Sequence, residues 1–307
     1  MVVITESPVM VNEIFGKQKV DSFGINLIKA KDVWNSSEKG DGVVIAVIDT
    51  GCHVGHPYLK NSIIGGYNFT NDDNGDPQIF EDYRGHGTHV AGIIAAGENE
   101  IGNVGVAPRS KILVLKTIDA YGKGSYNKVI KALKYAMNWV GPNGEKVSII
   151  NMSLGGIVHR EDLHTVIKDA RNKGILIVVA AGNEGDGNTD TIEISYPGFY
   201  QEVIQVGAVN QLGEISSYSN TNINLDFVAP GDNIVSTFLD GKYAKLTGTS
   251  MATPFVSGAL ALVLNMISSQ TNNPIVASYL AYFYLVKHAK KLGHSYLEEG
   301  NGLIQLI

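Results

Sequence analysis

The stretch VVIAVIDTGC occupies residues 43–52. Its first six residues are apolar, five of them β-branched, and an aspartate follows at once. The run lacks the polar alternation of a strand with one wet face. It is also too short for a core helix, so it reads as a strand buried on both faces. Four further runs share this character: ILVL (112–115), SIINM (148–152), ILIVVAA (175–181) and VIQVGAV (203–209). Between them Val129, Leu133, Ala136, Met137 and Val140 keep helical spacing, as do Leu163, Val166, Ile167 and Ala170. Strand–helix alternation predicts an α/β fold of three layers, a mostly parallel sheet flanked by helices.

In such a sheet, ligands gather beyond the carboxyl ends of the strands. The residues just after each run are therefore the informative ones. Asp49 follows the first run. Ser153, Leu154, Gly155 and Gly156 follow the third, and Gly182, Asn183 and Glu184 follow the fourth. Elsewhere RGHGTHVAG (84–92) sets His86 between two glycines. LTGTSMATPFVSGALALVL (246–264) sets Ser250 at the start of a long apolar helix. Singly, Asp49 reads as a cap, His86 as a structural histidine and Ser250 as an N-cap. Together they supply an acid, a base and a nucleophile.

The chemistry needs that set. A serine hydroxyl requires a base within hydrogen-bond reach. An imidazole takes its proton and returns it to the leaving amine. A carboxylate on the other ring nitrogen fixes the tautomer. Asn183 would donate to the developing oxyanion, and a helix start at Ser250 would add a backbone N–H and the positive end of the dipole. Pro254 is read as lying in the first helical turn, where it removes no hydrogen bond.

The chain has 307 residues and a net charge of −6, with no block of Lys or Arg. Nucleic acids and anionic membrane surfaces are therefore not expected partners. Cys52 is the only cysteine, so no internal disulfide forms. The opening segment MVVITESPVMVNEIFG has no basic region followed by an apolar core. No stretch is read as reaching membrane-spanning length, because the apolar helix after Ser250 ends by Ser268 and Ser269. A cytoplasmic protein is the expectation. Residues 1–20 read as an extension and 21–307 as one domain.

Five motifs, VIDTGC, GHGTHVAG, MSLGG, AAGNEGDG and GTSMATP, stand in the order and spacing of the subtilisin-like serine proteases. The sequence resembles that family over nearly its whole length. It is most similar to the intracellular branch, through DTGC, NEGDG, MNWVGPNGEKVSIINMSLGG and EGNGLIQL. The resemblance implies a serine endopeptidase acting on intracellular proteins, with catalytic Asp49, His86 and Ser250 and an oxyanion hole completed by Asn183. Two strand-like edges, Gly122, Lys123 and Gly124 on one side and Ser153, Leu154 and Gly155 on the other, would clamp an extended peptide. The implied S1 pocket is lined by Ser153, Leu154, Gly155, Gly156, Ala181, Gly182 and Ser195, with Glu184 at its rim. Tyr126, Val129 and Leu154 would form an apolar S4 pocket. A homodimer is implied, as is zymogen-like control in which the extension covers the cleft until proteolysis removes it. Pro8 offers a rough counterpart to the proline of that branch's extension.

Two departures stand out. Phe255 follows Pro254 where the family usually has histidine, and a packing change is expected. The family's HPDL reads HPYL here, so Tyr58 replaces a carboxylate that commonly binds calcium. Asn99 is left as the side-chain ligand of that site, which is too little charge for strong binding. A weaker cation site would use carbonyls of Gly198, Tyr200 and Val203.

Rival chemistries fit less well. A zinc site on Cys52, His53, His56, His86 and His89 lacks any H-E-x-x-H spacing. A nucleotide-binding reading lacks a glycine-rich phosphate loop after the first strand. A processing protease for a single leader peptide, of the lantibiotic leader peptidase type, and a non-catalytic pseudoprotease on the same fold stay open as alternatives.

Overall fold

The computed structural model describes residues 3–6, 9–18, 22–98, 100 and 103–307. In chain order the elements are β1 (Val3–Glu6), β2 (Met10–Phe15), α1 (Phe23–Leu27), β3 (Val44–Asp49), β4 (Ile63–Asn68), α2 (His86–Ala95), β5 (Lys111–Lys116) and β6 (Gly124–Ser125). There follow α3 (Tyr126–Asn138), β7 (Val147–Met152), β8 (Leu154–Gly155), α4 (Glu161–Asn172), β9 (Leu176–Ala180), β10 (Ile204–Val209) and β11 (Leu225–Pro230). The chain closes with β12 (Ile234–Thr237), β13 (Tyr243–Thr247), α5 (Thr249–Met266), α6 (Pro274–His288) and α7 (Tyr296–Glu299).

Seven strands form the central sheet in the order β11-β10-β9-β7-β3-β5-β4. Every neighbouring pair is parallel. The five apolar runs are its inner strands, and β3 shows why they are continuously apolar. Val44, Ala46 and Ile48 pack with α3 and α4, whereas Ile45 and Val47 pack with α2 and α5. Both faces of one strand are thus covered. The edge strands β4 and β11 carried no such signal. IIGGYN holds two glycines, and LDFVAP contains Asp226 and ends on proline.

Helix α5 runs through the core with residues 249–263 all buried. Its 18 residues and mean hydropathy of 1.3 make it long and apolar enough to cross a bilayer, contrary to the sequence expectation. The domain itself accounts for that character, since 83% of the helix is buried inside it. Phe255 belongs to this buried set, 4% exposed, with its ring against the α carbon of Gly24 in α1. A β carbon at Gly24 would lie 2.3 Å from the ring. The packing change expected at Phe255 is therefore met by a partner with no side chain.

The extension contributes two strands that no sequence pattern announced. β2 pairs antiparallel with β13 to give a sheet β12-β13-β2. β1 lies between β6 and β8, antiparallel to both.

His89 of α2 is fully buried, and its Nε2 faces the carbonyls of Ile234 at 3.0 Å and Ala244 at 3.1 Å. Nε2 therefore carries the proton of a neutral ring. Burial pushes its pKa down to about 3. An unfolded imidazole binds its proton near pH 6.5. The stability His89 contributes is thus complete above that pH and is lost as pH falls toward 3. Asp226 acts with opposite sign, because burial pushes its carboxyl up to about 6 and penalises the folded state as pH rises through that value. Below about pH 6, His89 should lower stability by about 1.4 kcal/mol per pH unit. Denaturant unfolding of wild type and His89→Gln between about pH 7 and 4.5 isolates this term, and parallel pH profiles would rule it out.

Candidate active site

Asp49 is the last residue of β3 and His86 the first of α2. His86 Nδ1 lies 2.7 Å from Asp49 Oδ1, with the two side chains 3% and 1% exposed. The same oxygen accepts the Thr50 N–H at 2.7 Å. An acceptor that close fixes the ring proton on Nδ1 and leaves Nε2 as the basic nitrogen.

The local sequence explains how a histidine comes so near. Gly85 has φ +89°, and a β carbon there would lie 2.1 Å from the Phe238 ring. At Gly87 it would lie 2.2 Å from the Gly51 carbonyl oxygen. Asp82 holds the turn. Its Oδ1 accepts N–H bonds from Arg84 and Gly85, and its Oδ2 accepts the N–H and hydroxyl of Thr88. Sequence reasoning missed Asp82. The available signal was an acidic residue just ahead of a glycine at a helix start.

Ser250 is the second residue of α5. Its Oγ donates to the Ser153 carbonyl at 3.2 Å, and Ser153 Oγ donates to the Ser250 carbonyl at 2.9 Å. Pro254 explains the second bond. It is the sixth residue of the helix and lies beyond the first turn, so its missing N–H does remove a bond, the one to the Ser250 carbonyl. The hydroxyl of Ser153 replaces it. Behind this pair, Asn151 Nδ2 donates to Ser153 Oγ at 3.1 Å, and Ser257 Oγ donates to Asn151 Oδ1 at 2.8 Å. All four residues are fully buried. The side chain of Ser153 therefore braces the Ser250 turn.

Asn183 follows β9 by two residues beyond Ala181. Its Oδ1 accepts the Thr249 N–H at 2.8 Å and the Thr249 hydroxyl at 2.9 Å. This orientation turns Nδ2 toward Gly248, where a β carbon would lie 3.1 Å from it. Thr249, also missed by sequence reasoning, thus ties the amide to the helix that carries Ser250.

Of the two expected edges, the ladder takes Gly124 with Ser125 and Leu154 with Gly155. Gly122 and Lys123 belong instead to a turn in which the Asp119 carbonyl accepts the Gly122 N–H and the Lys123 carbonyl accepts the Asp119 N–H. The strand between the edges is β1. Ile4 is 0% exposed and packs in one cluster with Tyr126, Val129 and Leu154. On the far side of the site, Val9 comes within 3.1 Å of a β carbon placed on Gly248. Pro8 lies outside the described residues.

The remaining pocket residues are distributed as follows. Gly156 exchanges both backbone bonds with Tyr196, and a β carbon on Gly155 would lie 2.3 Å from Ser195 Oγ. Gly182 sits against Asn220 and Glu184, and the exposed Glu184 accepts from Asn220 Nδ2. Ala181 is buried in one cluster with Val209, Leu225, Val228 and Leu303.

Among the described residues, no group of three or more His, Cys, Asp or Glu is placed to hold a metal ion. Asn99 lies outside the described residues, and the Tyr58 carbonyl accepts the Gly97 N–H at 2.8 Å. Gly198, Tyr200 and Val203 share one turn, in which the Tyr200 carbonyl accepts the Val203 N–H. The residues of the zinc alternative go to separate partners. His53 pairs with Glu81 and His56 with the Lys242 carbonyl, while Cys52 is buried and its thiol is pushed up, first by that burial and then by Asp82 and Glu81.

Ser153→Ala should cost about 1–3 kcal/mol, because it leaves the Ser250 carbonyl without a donor. Adding Pro254→Ala supplies an N–H at the right place and should recover part of that loss. Urea unfolding in a Ser250→Ala background measures both, and additive losses in the double variant would refute the bracing role.

Comparison with known proteins follows the same lines. The subtilase family model matches residues 40–296. An intracellular serine protease of Paenibacillus polymyxa is 50% identical over 283 residues, covering 92% of this chain and 84% of the relative. The major intracellular serine protease of Bacillus subtilis is 45% identical over 284 residues, covering 92% and 87%. Subtilisin E of the same species is 39% identical, covering 92% and 70%. The seven-stranded parallel sheet with helices on both faces is the subtilisin fold, and the chain belongs to the subtilase family of serine proteases.

Proposed function

We propose that this serine protease is an intracellular endopeptidase in which Ser250 is the nucleophile, His86 the general base and acid, and Asp49 the group that orients it. One observation carries the reading: the buried 2.7 Å contact of His86 Nδ1 with Asp49. It stands at the sheet edge to which Asn151, Ser153 and Asn183 tie the start of α5. The names of the relatives support an intracellular, cytoplasmic setting.

In the proposed reaction, Nε2 of His86 takes the Ser250 proton as Oγ leaves its bond to the Ser153 carbonyl and attacks the peptide carbonyl. Asn183 Nδ2 and the Ser250 N–H receive the oxyanion. Asp49 stabilises the imidazolium, which then protonates the leaving amine. Water reverses the sequence and frees the acyl group.

The extension acts as an inhibitor on this reading. Its β1 holds both cleft edges, and Ile4 fills the apolar pocket of Tyr126, Val129 and Leu154. Calcium at the usual strong site should be weak, since Tyr58 offers no carboxylate and its carbonyl is engaged.

A serine-directed fluorophosphonate should label Ser250, and Ser250→Ala should abolish both labelling and cleavage of unfolded protein. Asn183→Ala should lower kcat by about 100–1,000-fold with little change in KM. A chain beginning at Ser22 should be labelled faster than the full chain. Equal labelling rates would remove the inhibitory role, and an unlabelled shortened chain would remove the triad assignment. Because His86 acts as a neutral base, the rate should rise as pH passes from acid to neutral.

A further inference from the structure

We propose that Lys116 is a positioning residue for the Asp49–His86 pair, acting through the carbonyl of Thr50. The inference rests on the triad reading above and adds to it a buried group from a neighbouring strand.

Lys116 is the last residue of β5 and Asp49 the last of β3, and the two stand opposite each other in the parallel ladder. Strand side chains alternate between faces, so Lys116 shares the face of Ile112 and Val114, and Asp49 that of Ile45 and Val47. Those four apolar residues pack in one cluster with α2. Both polar side chains therefore stand on the α2 face, at the end of the sheet where His86 begins the helix. Lys116 is 0% exposed there. Its ammonium donates to the Thr50 carbonyl at 2.6 Å and lies 3.0 Å from Asp72 Oδ2, with the centre of the Tyr83 ring 5.2 Å away.

Thr50 connects this ammonium to both members of the pair. Its N–H donates to Asp49 Oδ1 at 2.7 Å, and its hydroxyl oxygen accepts at 2.9 Å the N–H of Gly87, the residue after His86. Thr50 is itself fully buried. The chain leaving β5 holds the same turn, since the Asp49 carbonyl accepts the N–H groups of Thr117 at 2.9 Å and Ile118 at 3.2 Å. A rotation of the Thr50 peptide would move the N–H that aims the carboxylate and the hydroxyl that anchors the start of α2. The ammonium fixes that peptide by its carbonyl.

Stability is a poor account of such a group. Desolvating an ion pair costs about what its attraction returns, and an uncharged pair of similar volume is often as stable. Asp72 balances the charge and is held in turn, its Oδ2 accepting the Ala120 N–H at 2.9 Å. With its charge balanced, Lys116 acts as a directed donor.

The test removes both charges together in Lys116→Met/Asp72→Asn, so that neither is left buried and unpaired. In the full chain this variant should keep a cooperative urea transition with a midpoint near that of wild type. Fluorophosphonate labelling of Ser250 should nevertheless slow by about tenfold or more. In a Ser250→Ala background, the downfield proton resonance of His86 Nδ1, which reports its bond to Asp49, should move or broaden. Asp72→Asn alone keeps the Thr50 bond and should retain the wild-type resonance and most of the labelling rate. A wild-type labelling rate or an unchanged resonance in the double variant overturns the assignment. Loss of its cooperative unfolding does so too, by making Lys116 a determinant of the fold. An equal loss of rate in Asp72→Asn transfers the role to Asp72 and also overturns it. Wild type that is not labelled at all removes the triad reading itself.

Discussion

All seven strands of the central sheet point the same way, and this single constraint places the candidate site. Parallel strands deliver every carboxyl end to one edge, so residues far apart in sequence meet there without further cost in chain length. Asp49 arrives on β3 and Asn183 follows β9. The helix that crosses over from β4 to β5 and the helix that follows β13 bring their starts to the same site. α2 begins with His86 and α5 with the turn of Ser250. The sheet thus fixes which residues can meet, and short polar contacts fix how. Asp82 tightens the turn before His86, Thr249 holds Asn183, and Ser153 replaces the N–H that Pro254 lacks.

A helix as apolar as α5 tolerates few polar groups, and those it has are matched. Ser257 reaches Asn151, and Thr253 bonds back to the Thr249 carbonyl at 2.8 Å. Buried hydroxyls and amides that find such partners hold one arrangement firmly, since losing one partner strands the other. The chain Ser257, Asn151, Ser153, Ser250 therefore links the first and third turns of α5 to the end of β7. The proline that opens the helix's hydrogen bonding and the serine that closes it form a single device.

The extension joins the molecule by the same backbone logic. β6 and β8 are only two residues each, and neither pairs with the other. β1 supplies the missing middle strand, and β2 adds a second ladder along β13, the strand that leads into α5. Main-chain bonds provide attachment that is indifferent to sequence, while Ile4 and the Phe15–Tyr243 stack add side-chain fit. The substitution of Phe255 beside Gly24 shows a comparable fit in the core, where a large ring and an absent side chain occupy one space.

Much of this was legible in the residues. Burial on both faces made the inner strands β3, β5, β7, β9 and β10 visible as nearly continuous apolar runs. The proposed acid, base and nucleophile, Asp49, His86 and Ser250, were legible as residue types at a strand end and at helix starts. The edge strands β4 and β11 were not, since one face of an edge need not be apolar and glycine or proline is admitted there. The strands of the extension were not, because a strand bound by its backbone needs no pattern of its own. Nor could the sequence show that Pro254 stands beyond the first turn or that Ser153 serves the Ser250 carbonyl. Local order and apolar spacing determined the sheet and the residue types gathered at its carboxyl edge. Contacts between residues about a hundred positions apart, set by side-chain direction and distance, were decided only when the chain closed on itself.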